Sequence, residues 1–300
     1  MLTKKPLFSV LMANYNNAKY LLNAINSVEK QTYTNWEIIL VDDGSTDNSR
    51  ELYFRLAHNP KIHIYYNDVN RGCGYTKARC AALANGEICG FLDPDDAFLP
   101  DAIEKHVNAH IANPNASVVY SKAYYCDTDF NILDKAILPD FSGGKTYFDY
   151  RWEGCMHLTT YKKYFYDKTC GINPKAYAGV DQDLYFLIEE VGNIVALDEF
   201  CYYYVIKGHD NSIATDDNNY FRLWYWNLEA RRAAVVRRGL DVDKIIYEDM
   251  HKIFDNYVDF QIRRAVLDKE IEVRASLAYR IGKPIVNFIK FLTKPFRKIK

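Results

Sequence analysis

The chain has 300 residues, 49% of them apolar and 15% aromatic, with a formal net charge of −1, which supports one large domain or a domain with an appendage and excludes a nucleic-acid binder working through a general basic surface. Its seven cysteines form no C-x-x-C pair and read as free or buried thiols of a reducing compartment rather than a disulfide framework. The first residues lack a signal peptide's apolar core and no run is long enough to span a bilayer, so the expected location is cytoplasmic.

Phe8 to Ala13 is a short apolar run, the pattern of a strand buried on both faces, and it breaks at Asn14-Tyr-Asn-Asn17. A helix follows, with Tyr20, Leu21, Ala24, Ile25 and Val28 at helical spacing. Glu37 to Val41 is the second strand and runs into Asp42-Asp43-Gly44-Ser45-Thr46-Asp47. Gly44 suits the turn, and Ser45, Thr46 or Asp47 can cap the next helix, which reaches about His58. Ile62 to Tyr66 is the third strand, Tyr75 to Ala84 a helix, and Ile88 to Leu92 the fourth strand. Alternation of this kind predicts right-handed β-α-β units and a parallel sheet, with ligands at the carboxyl ends of its strands. The first strand-helix turn carries no G-x-G-x-x-G and the chain no G-x-x-x-x-G-K-[ST], which argues against a dinucleotide site or a P-loop.

The fourth strand ends in Asp93-Pro-Asp95-Asp96. Carboxylates crowded at a strand end repel one another, and a hard divalent cation, Mg²⁺ or Mn²⁺, is the simplest counter-charge. The competing reading is a solvated turn in which Asp95 or Asp96 caps the helix after Pro100. Three strand ends, at Asn14-Tyr15, Asp42-Asp43 and Asp93 to Asp96, bring their polar residues to one edge of the sheet. On the helix from about Pro100 to Ala112, His106 and His110 lack the third ligand of a zinc site and are expected on a solvated face. Val118 to Cys126 reads as a strand, residues 127–131 as a turn into another strand, and 139–158 as loop. In the helix after Ala178, Leu184, Leu187, Ile188 and Val191 form the inward stripe. Asp181 shares that side in the first turn, where it can cap the helix or reach a reacting group, and Asp183 is rotated away. Ile194 to Leu197 and Phe200 to Ile206 read as two more strands. From Tyr220 the pattern is helical, with a break at Gly239-Leu-Asp241. Between Lys283 and Lys300 the chain has basic residues and no acidic ones. Lys283, Lys290, Lys294 and Arg297 line one helical face and Ile285, Phe288, Ile289, Leu292 and Phe296 another. Such a helix suits peripheral contact with an anionic membrane, or packing on the protein itself.

Taken together, Ser9-Val-Leu-Met-Ala-Asn-Tyr15-Asn, Val41-Asp-Asp-Gly-Ser45, Lys77-Ala-Arg79, Gly86-Glu87, Phe91-Leu-Asp-Pro-Asp-Asp96 and Asp181-Gln-Asp-Leu184 resemble the family 2 glycosyltransferases of bacterial surface-polysaccharide type. The resemblance covers roughly residues 6–215. It implies an α/β GT-A nucleotide-diphospho-sugar transferase fold, Rossmann-like, with a mostly parallel sheet: a catalytic domain over 1–215 (nucleotide-binding half about 1–97, acceptor half about 98–215) and a helical appendage over 216–300. It also implies inverting transfer of a sugar from a nucleotide-diphosphate sugar, a UDP-sugar first of all, to the hydroxyl of a saccharide or lipid-linked saccharide acceptor. By resemblance Tyr15 packs on the base, Asp42 or Asp43 bonds the base or ribose, and Arg79 helps hold the nucleotide end. Asp93 and Asp95 form the D-x-D motif, with Asp95 the direct ligand of Mg²⁺ or Mn²⁺. Asp181 corresponds to the catalytic base, and His209 to a residue at the diphosphate. The chain departs from the family pattern at Val180, where a Glu is usual, at Cys80, where an Asn is common, and at Tyr204-Val-Ile-Lys207, which lacks a frequent Arg. The rival readings are a sugar-phosphate nucleotidylyltransferase, which would carry a glycine-rich basic loop at Asn14-Tyr-Asn-Asn17, and a non-catalytic nucleotide-sugar-binding protein of the same fold.

Overall fold

Phe8–Asn14 (β1) and Trp36–Asp42 (β2) bury almost every side chain on both faces, so each must be covered from two sides, and helices do this. Ala18–Glu29 (α1) joins them and buries Leu21, Ala24, Ile25 and Val28. Ser49–Leu56 (α2) leads to Ile62–Tyr66 (β3), and Cys73–Leu83 (α3) to Ile88–Phe91 (β4). β1 pairs in parallel with β2 and β4, and β2 with β3. The computed structural model describes residues 2–150, 157–208 and 220–255.

Ala97–Phe98 (β5), Ala102–Ala112 (α4), Ala116–Asp127 (β6) and Ile132–Lys135 (β7) come next, followed by Tyr147–Tyr150 (α5), Thr159–Lys162 (β8) and Lys163–Tyr166 (α6). Val180–Glu189 (α7), Asn193–Lys207 (β9) and Tyr220–Arg237 (α8) complete the named elements. The sheet runs β3-β2-β1-β4-β8-β6-β9-β5, with β7 on the outer part of β6. β8 is antiparallel to β4 and β6, so a single reversed strand sews the parallel half to the second half. The expected α/β fold is the one observed: β1 to β4 form a wholly parallel half, and β6 pairs in parallel with β9. The two strands read at 194–197 and 200–206 are one long strand, β9, whose pairing with β6 absorbs the irregular middle as shifts of register. β5 and β8 are too short and too mixed in composition to announce themselves.

Two expectations about side-chain orientation are corrected. His106 and His110 are not solvated: both are fully buried, and each bonds the Thr160 hydroxyl of β8, at 2.8 and 2.9 Å. Burial holds the His106 ring at about 3 and that of His110 well below its usual range, so both are neutral. Asp183 is not turned out to solvent either: only 9% of it is exposed. α8 packs along α7, with Ala230, Ala234 and Val235 buried, so α7 has no free face. Gly179, ahead of α7, has φ +65°, and a Cβ there would lie 2.5 Å from Asn227 Oδ1 of α8, which is why a residue without a side chain stands at this joint.

By packing, a first compact unit spans Met1–Asp241, past the 215 boundary read from the sequence, and a second spans Val242–Lys300, described as helical over 242–255. Among the described residues no helix is long and apolar enough to cross a membrane. The tail at 283–300 lies outside the described residues.

Candidate active site

The parallel register sets Asn14 beside Asp42 and Asp42 beside Tyr66, and β4 ends alongside, with the Leu92 amide donating to the Leu11 carbonyl. Four strands therefore finish at one edge. Asn14 and Asp42 are fully buried there. Asp42 accepts from Tyr53 Oη at 2.6 Å and from the Ser45 amide at 3.0 Å, while Asn14 Nδ2 donates to Tyr53 Oη at 2.8 Å. Asp43 accepts from Asn67 Nδ2 and from the Arg71 and Gly72 amides at 2.7–2.9 Å. Arg79 donates to the Tyr66 carbonyl at 2.7 Å and to Asn67 Oδ1 at 2.5 Å. Asp42, Asp43 and Arg79 are thus joined in a bonded frame that shapes the loop from 67 to 72, and Tyr15, 46% exposed, stands at its open side. Asp47 takes neither helix cap position but accepts from the Ala18 and Ser49 amides, tying the starts of α1 and α2 together.

Next along the edge, the acidic turn splits in two. Asp96 is buried and faces β9, accepting from Tyr202 Oη and from the Val205 amide, each at 2.8 Å. It does not cap α4, whose N-cap position is Asp101. Burial, reinforced by Asp95 and Asp93, pushes its carboxyl well above the usual range, and its two bonds to β9 anchor the turn. Asp93 turns toward Lys77 on α3, with its Oδ1 3.2 Å from the ammonium. Lys77 also donates to both oxygens of Asp181, at 2.8 and 3.1 Å, across 104 residues of sequence. The two carboxylate side chains are each about a third exposed, whereas the Lys77 side chain is 5% exposed. Burial alone would lower the Lys77 ammonium, but Asp181 and Asp93 outweigh it and hold it well above its ordinary value. Burial works against Asp93 too, yet Lys77 and then His157 keep its carboxyl below the usual range. His157 lies over this cluster between Tyr202 and Tyr204, with ring centroids 5.1 Å from each. Burial outweighs the pull of Asp181 and Asp93 and lowers its ring below the ordinary histidine value.

Asp93, paired with Lys77 through Oδ1, and Asp95 present hard oxygen donors at a partly open edge, and the two oxygens of Asp96 face β9. Among the described residues no group of three or more His, Cys, Asp or Glu side chains converges on one point. Mg²⁺ and similar ions use one or two carboxylates and complete their shell with phosphate and water. The pair therefore fits a divalent cation that arrives with a phosphate-bearing ligand.

Lys77 and His157 are the site residues to which the sequence reading gave no role, and Asp96, read there as a carboxylate of the acidic turn or a helix cap, instead bonds β9. Lys77 could have been singled out, because it falls on the stripe of α3 that also buries Cys80 and Ala81, an odd place for a charge without partners. His157 had no such signal, since it stands at the end of a stretch without periodicity. His209 lies outside the described residues.

Residues 9–185 match the family described as Glycosyl transferase family 2. The chain is 28% identical over 232 residues to chondroitin synthase of Escherichia coli, covering 74% of this chain and 32% of the relative. It is also 28% identical over 276 residues to chondroitin synthase of Pasteurella multocida, covering 89% and 28%. The chain thus spans about a third of the length of these relatives. Among solved structures, residues 1–349 of S. aureus TarS in complex with UDP-GlcNAc superpose with a TM-score of 0.62 at 19% identity, covering 83% of this chain and 72% of that one.

Proposed function

The chain belongs to glycosyl transferase family 2, and from that premise we propose that it moves a sugar from a nucleotide-diphosphate sugar, a UDP-sugar first of all, to an acceptor hydroxyl with inversion, in the synthesis of a surface polysaccharide or glycolipid. The observation that carries the reading is the convergence of Asp93 and Asp181 on the Lys77 ammonium, which brings the acidic turn and the start of α7 to one place. Chondroitin synthases among the relatives and a UDP-GlcNAc complex of a protein with the same fold support the substrate class.

In this reading the base stacks on Tyr15. The Asp42–Asp43 frame receives base and ribose, and Arg79 serves the nucleotide end by fixing the Asn67 loop. Asp181 takes the acceptor hydroxyl's proton as its oxygen bonds to the anomeric carbon. The bond from that carbon to the diphosphate breaks, and its electron pair leaves with the nucleoside diphosphate. One displacement with no protein nucleophile inverts the centre. Asp95 and Asp93 would hold a divalent cation, Mg²⁺ or Mn²⁺, which would supply positive charge for the leaving diphosphate. His209 contacts that diphosphate. The acceptor is a saccharide or a lipid-linked saccharide, and the reaction takes place in the cytoplasm or on the cytoplasmic face of the membrane, where the basic amphipathic segment 283–300 makes peripheral contact.

A panel of UDP-sugars with Mn²⁺ tests the chemistry. The wild type should release UDP, and Asp181→Asn should release it roughly 10²–10⁴-fold more slowly, the range for loss of a general base. Asp95→Asn and added EDTA should each remove most turnover. Pyrophosphate release from UTP and a sugar 1-phosphate, with no UDP released from the UDP-sugars, would instead mark nucleotidyl transfer, and release of neither product a binding protein. Flotation with anionic liposomes tests the tail: loss of binding on deleting 283–300 supports contact, and a full-length protein that fails to float at low salt rejects it.

A further inference from the structure

The cation already present in the site is Lys77, and its placement has a consequence for how the site is loaded. A lysine normally runs its stem along an apolar surface and leaves its ammonium in water. Lys77 does the reverse: it projects from the buried stripe of α3, is 4% exposed, and its ammonium sits 5.1 Å over the Phe91 ring. Asp181 bonds it with both oxygens and Asp93 with one. The charge is therefore fixed in position and cannot swing away when a second cation approaches.

We propose that Lys77 is a positioning residue that controls metal loading: by neutralising Asp93 and Asp181 in the free protein, it keeps a divalent cation off the acidic turn until a nucleoside diphosphate brings its own negative charge. This deepens the glycosyltransferase reading and rests on it. A dication at Asp93 and Asp95 would sit close to the Lys77 ammonium, a like charge that is itself almost fully buried, which weakens its binding. The diphosphate of the donor reverses that balance, and metal and donor then bind with positive coupling, each raising the other's affinity by the same factor. Asp181, still held by Lys77, remains an aimed carboxylate throughout.

Binding of Mn²⁺ to the full chain, followed by electron paramagnetic resonance with and without UDP, tests this without any sugar transfer. The wild type should bind Mn²⁺ weakly alone and at least roughly tenfold more tightly with UDP. Lys77→Met should bind Mn²⁺ alone about tenfold more tightly than the wild type, with the UDP effect reduced by the same factor, while Lys77→Arg should keep the wild-type pattern. Asp181→Asn, an isosteric change that leaves the ammonium to Asp93, should weaken Mn²⁺ binding in the absence of UDP. An unchanged Mn²⁺ affinity in folded Lys77→Met, or a wild type whose Mn²⁺ affinity ignores UDP, overturns the proposal. Should Lys77→Met fail to fold, Asp181→Asn decides, and unchanged or tighter Mn²⁺ binding there overturns it. Failure of sugar transfer with the Mn²⁺ pattern intact would sink the transferase reading alone.

Discussion

Asp181 and Asp183 stand two positions apart on α7 in unlike surroundings. Asp181 bonds Lys77 and is about a third exposed toward the edge where β1, β2 and β4 end. Asp183 faces α8, with Arg237 at 4.0 Å and its Oδ1 without a hydrogen bond. Burial, only partly opposed by Arg237, raises its carboxyl above the usual range. Removing its charge therefore removes a desolvated anion from a helix-helix contact. Asp183→Asn should leave the transfer rate within a few-fold and cost less than about 1 kcal/mol in stability. Kinetics beside a urea titration checks this. A hundredfold loss of rate in folded Asp183→Asn would move the base from Asp181 to Asp183.

At the scale of elements, α4 and β8 are joined through one hydroxyl between two histidines. Thr160 Oγ1 meets His106 Nδ1 and His110 Nε2, and the far ring nitrogens have no hydrogen-bond partner in the structure. Such rings are stable only while neutral. The folded value of His106 is about 3 against an ordinary 6.5, so below 6.5 the unfolded chain binds a proton that the folded one refuses. Its contribution is present above about pH 6.5 and is lost as pH falls toward 3. Between pH 6.5 and 5 this amounts to about 2 kcal/mol at roughly 1.4 kcal/mol per unit. Glu189 acts in the opposite sense, since burial raises it to about 7, so the absolute curve mixes both and a difference between variants is the cleaner quantity. His106→Gln should lose about 2 kcal/mol less than the wild type on acidification from pH 6.5 to 5, measured by urea unfolding at each pH. Equal losses would show that His106 is protonated within the fold.

For the whole molecule, the packing that matters is that of α8 on α7. Arg231 lies over the Phe148 ring at 3.7 Å, and Arg237 bonds Glu190 at 2.7 Å. A chain ending at 241 should therefore unfold cooperatively, while one ending at 215 should lose several kcal/mol, because it exposes Phe148, Phe186 and the Gly179 joint. Thermal unfolding of the two truncations tests this, and equal melting temperatures would place the boundary at 215. Much of the rest was legible in the residues themselves. The apolar runs at 8–13, 37–41 and 88–92 and the helices between them dictate a parallel sheet, and the acidic residues after those runs must then share its carboxyl edge. That inference needs only local periodicity and the handedness of the crossover. What local pattern could not decide is which polar side chains are buried, since burial depends on whatever folds back over them. Thr160 reaches His106 across 54 residues, Lys77 reaches Asp181 across 104, and α8 closes over Asp183 from beyond residue 220. Only the tertiary structure brings those partners together, and so only it distinguishes a buried counter-ion or a neutral histidine pair from residues that look solvated in sequence.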